Sequence, residues 1–402
     1  MPAGKLLVVQ FRMNKPPGGT APPANQPDPA LGPAALIYIV ISIAYILSGL
    51  FCPARATDNT IDLGVTNTAK LALLATATAK LGANAGLTLS GTGVQINALP
   101  ATSLAKATVF NVTSANVADA KKITALSNFS AATSTLKIAD TAAVIAVAAN
   151  AALLAAADEV KINAAADLKV DQAKILAGLG SRFVTGSAFS MGASAADLVA
   201  IATLSSAFFG KKSTGTISVT GTANVLSYAD YQKIASSIAA LSGGATLTVS
   251  DTLANLITFR GTNTAIGAGS VRASAIQLTG TNTLTAAEAA KLLALTGADA
   301  AKFSLATGAT MAISGTYSAI SGIATAFVNK ATSLAVTNVL INNVDEVVGY
   351  TSFSKTSTMA VSDTAGHFLS YLNGANATTN SNNATSLKSA TSIEITGRPS
   401  PM

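Results

Sequence analysis

Chemistry needs polar groups that can converge, and this chain of 402 residues carries few. Its one histidine, His367, stands four positions after Asp363, and the two are formally a His–Asp pair. Such a pair could be the base and orienter of a nucleophilic triad, but a placed hydroxyl would still be needed. A lone His just past a helix start reads more simply as a surface or partly packed residue. The adjacent acids Asp158–Glu159 and Asp345–Glu346 suggest the two carboxylates of a glycosidase. Neighbours on a strand or helix point apart, so solvated acids at turns are the plainer reading. Gly261-Thr262-Asn263 and Gly280-Thr281-Asn282 are Gly-containing loops that match neither a Walker nor a dinucleotide pattern, and they read as turns.

The wider inventory narrows the classes. Cys52 is the only cysteine, which excludes an intramolecular disulfide and a Cys-based metal site. A few Asp side chains with turn carbonyls leave room for weak Ca2+ binding at most, and no cofactor is expected. Trp is absent, and after the N-terminal segment the tyrosines are Tyr228, Tyr231, Tyr317, Tyr350 and Tyr371, a poor supply for a stacked-aromatic sugar platform. The net charge is +7, yet Lys121–Lys122 and Lys211–Lys212 are isolated pairs. Without a basic block, nucleic acid is not an expected partner. Only 11% of the residues are charged and 50% are apolar, so the surface must be built from Ala, Ser, Thr, Asn and Gly. Four Asn-X-Ser/Thr patterns begin at Asn111, Asn128, Asn376 and Asn383.

The elements that would position these groups repeat. Apolar pairs at i and i+2 recur as Ile61/Leu63, Leu87/Leu89, Phe110/Val112, Leu136/Ile138, Val160/Ile162, Phe189/Met191 and Ile217/Val219. They continue as Leu247/Val249, Ile276/Leu278, Phe303/Leu305, Leu334/Val336, Met359/Val361 and Ile393/Ile395, at spacings of 23 to 34 residues. Met311/Ile313 is an extra or replacement pair in the tenth unit. Each pair reads as a short strand. A turn signal follows, clearest in Asp140-Thr141, Asp251-Thr252 and Asp363-Thr364. Asp and Thr at that place can cap a helix, and helix-like runs such as TLTAAEAAKLLALTG from Thr283 come next. A strand and a helical crossover fit this length, and units that cannot bury an apolar face alone must stack. The expectation is an α/β repeat solenoid of residues 57–402, with a parallel sheet of about 12–13 short strands and a helix in most repeats.

The phrases Thr246–Asn255 and Thr358–Ala365 resemble the "T-V-S-D-T-A" repeats of large bacterial surface and secreted proteins, of β-strand repeat or haemolysin-like type. The resemblance covers most of 57–402. It implies an extracellular, adhesive or coat-forming protein, and it carries no catalytic residues across.

The N-terminus points to the same place. Residues 1–33 are Pro/Gly-rich and read as disordered. Residues 34–56 hold the uncharged run Ala35–Cys52, followed by Ala54-Arg55-Ala56, the A-x-A form cut by signal peptidase. The segment reads as a signal peptide cleaved after Ala56 in preference to a retained membrane anchor, and either way 57–402 would lie outside the cytoplasm.

Strand alternation then places Thr216, Ser218, Thr220, Thr246, Thr248, Ser250, Gln277 and Thr279 on the face opposite the apolar pairs. The middle of each triple mixes both charges with amides and Ala, which disfavours an ice-binding plane. A weakly charged hydroxyl face suits contact with another copy, a surface protein or a glycan. The reading is an exported, non-enzymatic structural or adhesive protein; the alternative is a secreted polysaccharide-degrading enzyme on the same scaffold.

Overall fold

The computed structural model describes residues 60–63, 86–262, 266, 272–354, 356–374 and 377–397. The segments 1–33 and 34–56, with the expected signal or anchor, lie outside the described residues. Among those described, no helix is long and apolar enough to cross a membrane.

The chain is mixed α/β, and every strand pairing among the described residues is parallel. A first sheet stacks β1 (Thr60–Asp62), β2 (Leu87–Thr92), β3 (Ala107–Ala115), β4 (Thr135–Asp140) and β5 (Glu159–Ile162) in chain order. A single bridge, Val160 to Phe183, carries the pattern onward. The next strands are β6 (Ala166–Asp167), β7 (Ser187–Ala193), β8 (Lys212–Thr214), β9 (Ile217–Val219), β10 (Asn224–Leu226) and β11 (Ala240–Leu241). Then come β12 (Leu247–Asp251), β13 (Ala275–Leu278), β14 (Thr281–Thr285), β15 (Phe303–Leu305) and β16 (Thr310–Thr316). The last are β17 (Ser333–Val339), β18 (Thr358–Thr364) and β19 (Ser392–Thr396). The second sheet runs β11-β9-β7-β6 with β8 beside β7, the third β10-β12-β13-β15, and the fourth β14-β16-β17-β18-β19.

The apolar pairs sort as their alternation requires. Leu89, Phe110, Val112, Leu136, Val160, Val249, Ile276, Ile313 and Met359 are fully buried, facing helices that follow the strands. Phe183, Phe189 and Phe208 meet within this layer, with centroids 5.3 to 6.2 Å apart, and Phe303 meets Phe327 at 4.7 Å. Leu305 is only half-buried. Ile393 and Ile395 are 50% and 60% exposed, so the pair expected to point into the core does not; β19 is an edge strand whose residues are all exposed.

Helices start where the sequence places a hydroxyl or amide after the strand. Thr92, Asn116, Ser194, Ser227, Thr285, Thr316 and Thr364 each accept the N–H three residues on. Thr92 with Gln95 and Thr285 with Glu288 close reciprocal capping boxes. The Ala-rich run after Asp140 breaks into short pieces, Ala142–Ile145, Ala148–Asn150 and Ala151–Ala156; buried Asn150 donates to the Val144 carbonyl at the break.

Of the two alternatives for Met311/Ile313, an extra strand is the one that forms: Phe303–Leu305 and Thr310–Thr316 are both present, pairing with β13 and β14 respectively. The chain bends between two strand segments in this region. The bend after β9 shows the cause: Gly221 takes φ +87°, and the Asn224 amide donates to the carbonyls of Thr220, Gly221 and Thr246.

Candidate interaction face

The inward column of each strand explains most of the conspicuous polar residues. Two positions before the first inward apolar residue stands a hydroxyl or an acid. Ser134, Asp158, Ser187, Ser274, Ser357 and Thr391 hold this place, and each accepts a backbone N–H from the preceding strand. The donors are Phe110, Leu136, Ile162, Leu247, Leu334 and Met359, at 2.7 to 3.1 Å. Two positions after the second apolar residue stands an acid. Asp140, Asp251 and Asp363 take their own next N–H, of Thr141, Thr252 and Thr364, on Oδ1 at 2.7 to 2.8 Å. Their Oδ2 atoms reach back and accept from Val117, Tyr228 and Ile341, each the first residue of a helical turn one unit earlier.

This corrects the cap assignment. The three Asp do cap helical turns, but those of the preceding unit; Thr252 and Thr364 accept the N–H three residues into their own helices. Asn224 does the same service with an amide, its Oδ1 accepting from Ala195, the first residue of the helix Ala195–Leu204. The sequence shows the signal plainly once the phase is known. A polar residue in phase with the apolar pair lies on the inward side, where Ser134, Ser187 and Asp363 are buried and need a partner, while Asp158 and Thr391 stay exposed.

Electrostatics follow. Burial by itself would raise the Asp251 carboxyl, but bonds from Asn255, the Tyr228 N–H and Thr252 outweigh it and hold the group below the usual range. Asp363 behaves alike: burial raises it, while His367 and the N–H groups of Thr364 and Ile341 lower it further. His367 Nδ1 lies 2.6 Å from Asp363 Oδ1, and the imidazole is 61% exposed.

Both acid pairs are engaged with neighbouring units. Asp158 accepts the Leu136 N–H, and Glu159 pairs with Lys137 at 2.7 Å. Glu346 accepts from the phenols of Tyr317 at 2.7 Å and Tyr350 at 3.3 Å, while Asp345 accepts from Tyr371 at 2.8 Å. The bond to Glu346 pushes Tyr317 up to about 12; burial, then the acids, raise Tyr350 and Tyr371. Tyr317 and Tyr371 from two other helices, with Tyr350 at its own C-cap, thus meet one helix, Val344–Gly349. Asn128 and Asn383 use their amide nitrogens on the Leu104 and Tyr371 carbonyls, so neither presents a free glycan acceptor. Gly280 is a turn glycine at φ +74°, as its context suggests; Asn263 lies outside the described residues.

The proposed face divides into two groups. Ser218 sits opposite Gly192 and Ala240, flanked by Thr216 and Thr220. Thr248 sits opposite Val225 and Ala275, while Ser250 sits opposite Gln277 and bonds to it at 2.9 Å. The column Ser218–Thr248–Gln277 expected from even spacing is therefore not one row, because the bend at Gly221 moves the chain onto a second segment. Ser218, Thr220, Thr248, Ser250, Gln277 and Thr279 are half-buried, and Thr216 and Thr246 are exposed. Val225, 56% exposed, adds an apolar point beside Thr248. Among the described residues no three His, Cys, Asp or Glu side chains converge as metal ligands would.

No family model matches the chain, and neither a curated protein nor a solved structure matches it significantly.

Proposed function

We propose that the chain is an exported, non-enzymatic β/α solenoid that acts as a structural or adhesive protein at the cell surface. The observation that carries this reading is the inward polar column. Asp140, Asp158, Asp251 and Asp363 bond the backbone of the neighbouring unit, and the other acids weighed for catalysis, Glu159, Asp345 and Glu346, are held by Lys137 and three tyrosines. Such bonds make stacking itself the purpose of the polar residues, as a repeat array requires. The outward rows of Thr, Ser and Gln remain for a partner, either another copy or a surface protein or glycan. Their low charge avoids repulsion, and hydroxyls form hydrogen bonds at little entropic cost. Residues 34–56 would direct export, with cleavage after Ala56.

The test combines location and assembly. Mass spectrometry of the native N-terminus should find Thr57 in the exported fraction. Ser218→Lys, Thr248→Lys and Gln277→Lys together should leave circular dichroism unchanged and abolish filaments, lattices or cell attachment seen by negative-stain microscopy. Normal assembly by the triple variant would move the contact to the helical side. A strictly monomeric protein without cell binding would sink the reading.

A further inference from the structure

The fold brings Lys161 near the backbone of the pair Lys211–Lys212, which stands isolated in sequence. Gly186 lies at φ +89°, and a Cβ built on it would stand 3.3 Å from the Lys161 Nζ, so the Lys161 side chain lies across this glycine. On the other side the Gly186 N–H donates to the Lys211 carbonyl at 3.1 Å, and Ser187 pairs in register with Lys212. The Lys161 side chain and the backbone of Lys211 and Lys212 therefore meet around one glycine. Among the described residues none of the three has a carboxylate within ion-pair distance. Lys212 Nζ donates to the Gly215 carbonyl at 2.8 Å.

Beside this cluster the sheet opens. After Ile162 the ladder from β5 continues only through the bridge at Phe183, while Ala166–Asp167 pairs separately with β7. The gap forms two adjoining depressions of about 390 and 190 Å3 that share Ala165 and Ala188. Lys161 and Asn163 line the larger; Asp167, Ser190 and Thr214 line the smaller. The floor is largely alanine and glycine; Phe189 also lines the smaller depression, but its side chain is buried in the core.

We propose that this groove binds an acidic polysaccharide, with Lys161 holding a uronate carboxylate. A sugar chain with sparse negative charge matches the mixture. The ammonium of Lys161 takes the carboxylate, and Asn163 and Thr214 offer both donors and acceptors to hydroxyls. Asp167 can accept from sugar hydroxyls, whereas it would repel a continuous run of phosphates. The one aromatic residue in the lining, Phe189, is buried, and no Arg lines the groove, which also disfavours stacked bases. The smaller depression adjoins the Ser218 row, since Ser190 accepts the Thr216 N–H at 3.1 Å, but Lys161 lines only the larger one, so substitutions at Lys161 test this inference separately from the assembly reading.

The experiment is titration of the full-length protein with oligogalacturonate by calorimetry, beside its fully methyl-esterified form and a single-stranded oligonucleotide. Binding of the acid form, with at least about tenfold weaker binding of the ester, is expected. Lys161→Gln should weaken the acid form by about tenfold, Lys161→Arg should restore most of it, and Lys291→Gln should change nothing. Melting curves check that each variant is folded. Failure of the unsubstituted protein to bind, equal binding of the ester, or unchanged binding by folded Lys161→Gln would overturn the proposal. Tighter binding of the oligonucleotide with displacement of the sugar would overturn it in favour of a nucleic-acid partner. Self-assembly, read by microscopy on the same variants, is expected to persist in all of them.

Discussion

The strands Leu247–Asp251 and Thr358–Thr364 carry nearly the same words, LTVSDT and MAVSDT, and the fold uses them differently. Their inward columns agree. Leu247 and Val249 are buried like Met359 and Val361, and both Asp bond one N–H ahead and one in the unit behind. Their surroundings do not agree. Asp251 reaches the helix Tyr228–Ile234, whereas Asp363 reaches a single 3-10 turn, Ile341–Asn343. Asn255 completes the first carboxylate at 2.7 Å, and His367 completes the second at 2.6 Å. The strand before β12 is β10, the second segment after a bend; the strand before β18 is the single β17, with a register shift between Val336 and Val339. One phrase can thus fix a local joint without fixing what it joins.

Breaking the apolar column should have the largest effect. Val249→Asp and Val361→Asp each bury an unpaired charge and should cost at least about 4 kcal/mol. Hydrogen exchange should show the first opening units on both sides and the second opening chiefly the C-terminal units. Equal loss of protection throughout the chain for both would mean one cooperative core and no stack of units.

The next test removes the joint itself. Asp251→Ala and Asp363→Ala should each cost about 1–3 kcal/mol, since two backbone N–H groups lose their acceptor. Urea unfolding would measure this, with the Asn variants milder because an amide oxygen still accepts, as Asn224 does. A loss at Asp363 far below that at Asp251 would show that a helical turn as short as Ile341–Asn343 needs no cap.

Acid should act on both joints together. Their native carboxyls titrate below the unfolded value, so their contribution is complete above about pH 4 and is lost as pH falls through the lower native value. Melting temperature should drop in that window, and the double Asn variant should drop less. Alkali should act on the C-terminal tyrosines and on Tyr231, whose phenol is also raised by burial. Tyr317 titrates at about 12, so stability tied to its neutral phenol holds below about pH 10 and declines as pH rises toward that value. Ultraviolet titration of Tyr317→Phe should lack this late proton.

The smallest contrast lies between the completing side chains. Asn255→Ala and His367→Ala remove exposed partners, and each should cost less than about 1 kcal/mol. Exchanging them, Asn255→His with His367→Asn, should leave stability within that margin; a larger change would give His367 a role beyond the joint.

Much of this was legible in the order of residues because local physics dictates it. Alternating apolar pairs force strands with one buried face, and a Thr, Ser or Asn after them caps a helix through its own oxygen. Those requirements act over a few residues, so Leu89, Phe110, Val249 and Met359 were identifiable as core from spacing alone. The role of Asp251 was half legible: its position between strand and helix fitted a cap, but the N–H it reaches belongs to Tyr228, 23 residues earlier. Which strands lie side by side was legible only where each unit contributes a single strand, as from β1 to β5. Even spacing aligned Ser218 with Thr248, yet the bend at Gly221 inserts a second segment and sets Thr248 against Val225. Nor could the sequence show that Lys161 and Lys211 share Gly186 as a neighbour, or that Tyr317 and Tyr350 meet on Glu346. Backbone hydrogen bonding between strands is the same whatever the side chains. Register is therefore chosen by bends, bulges and buried partners far away in sequence, and those exist only once the strands are stacked.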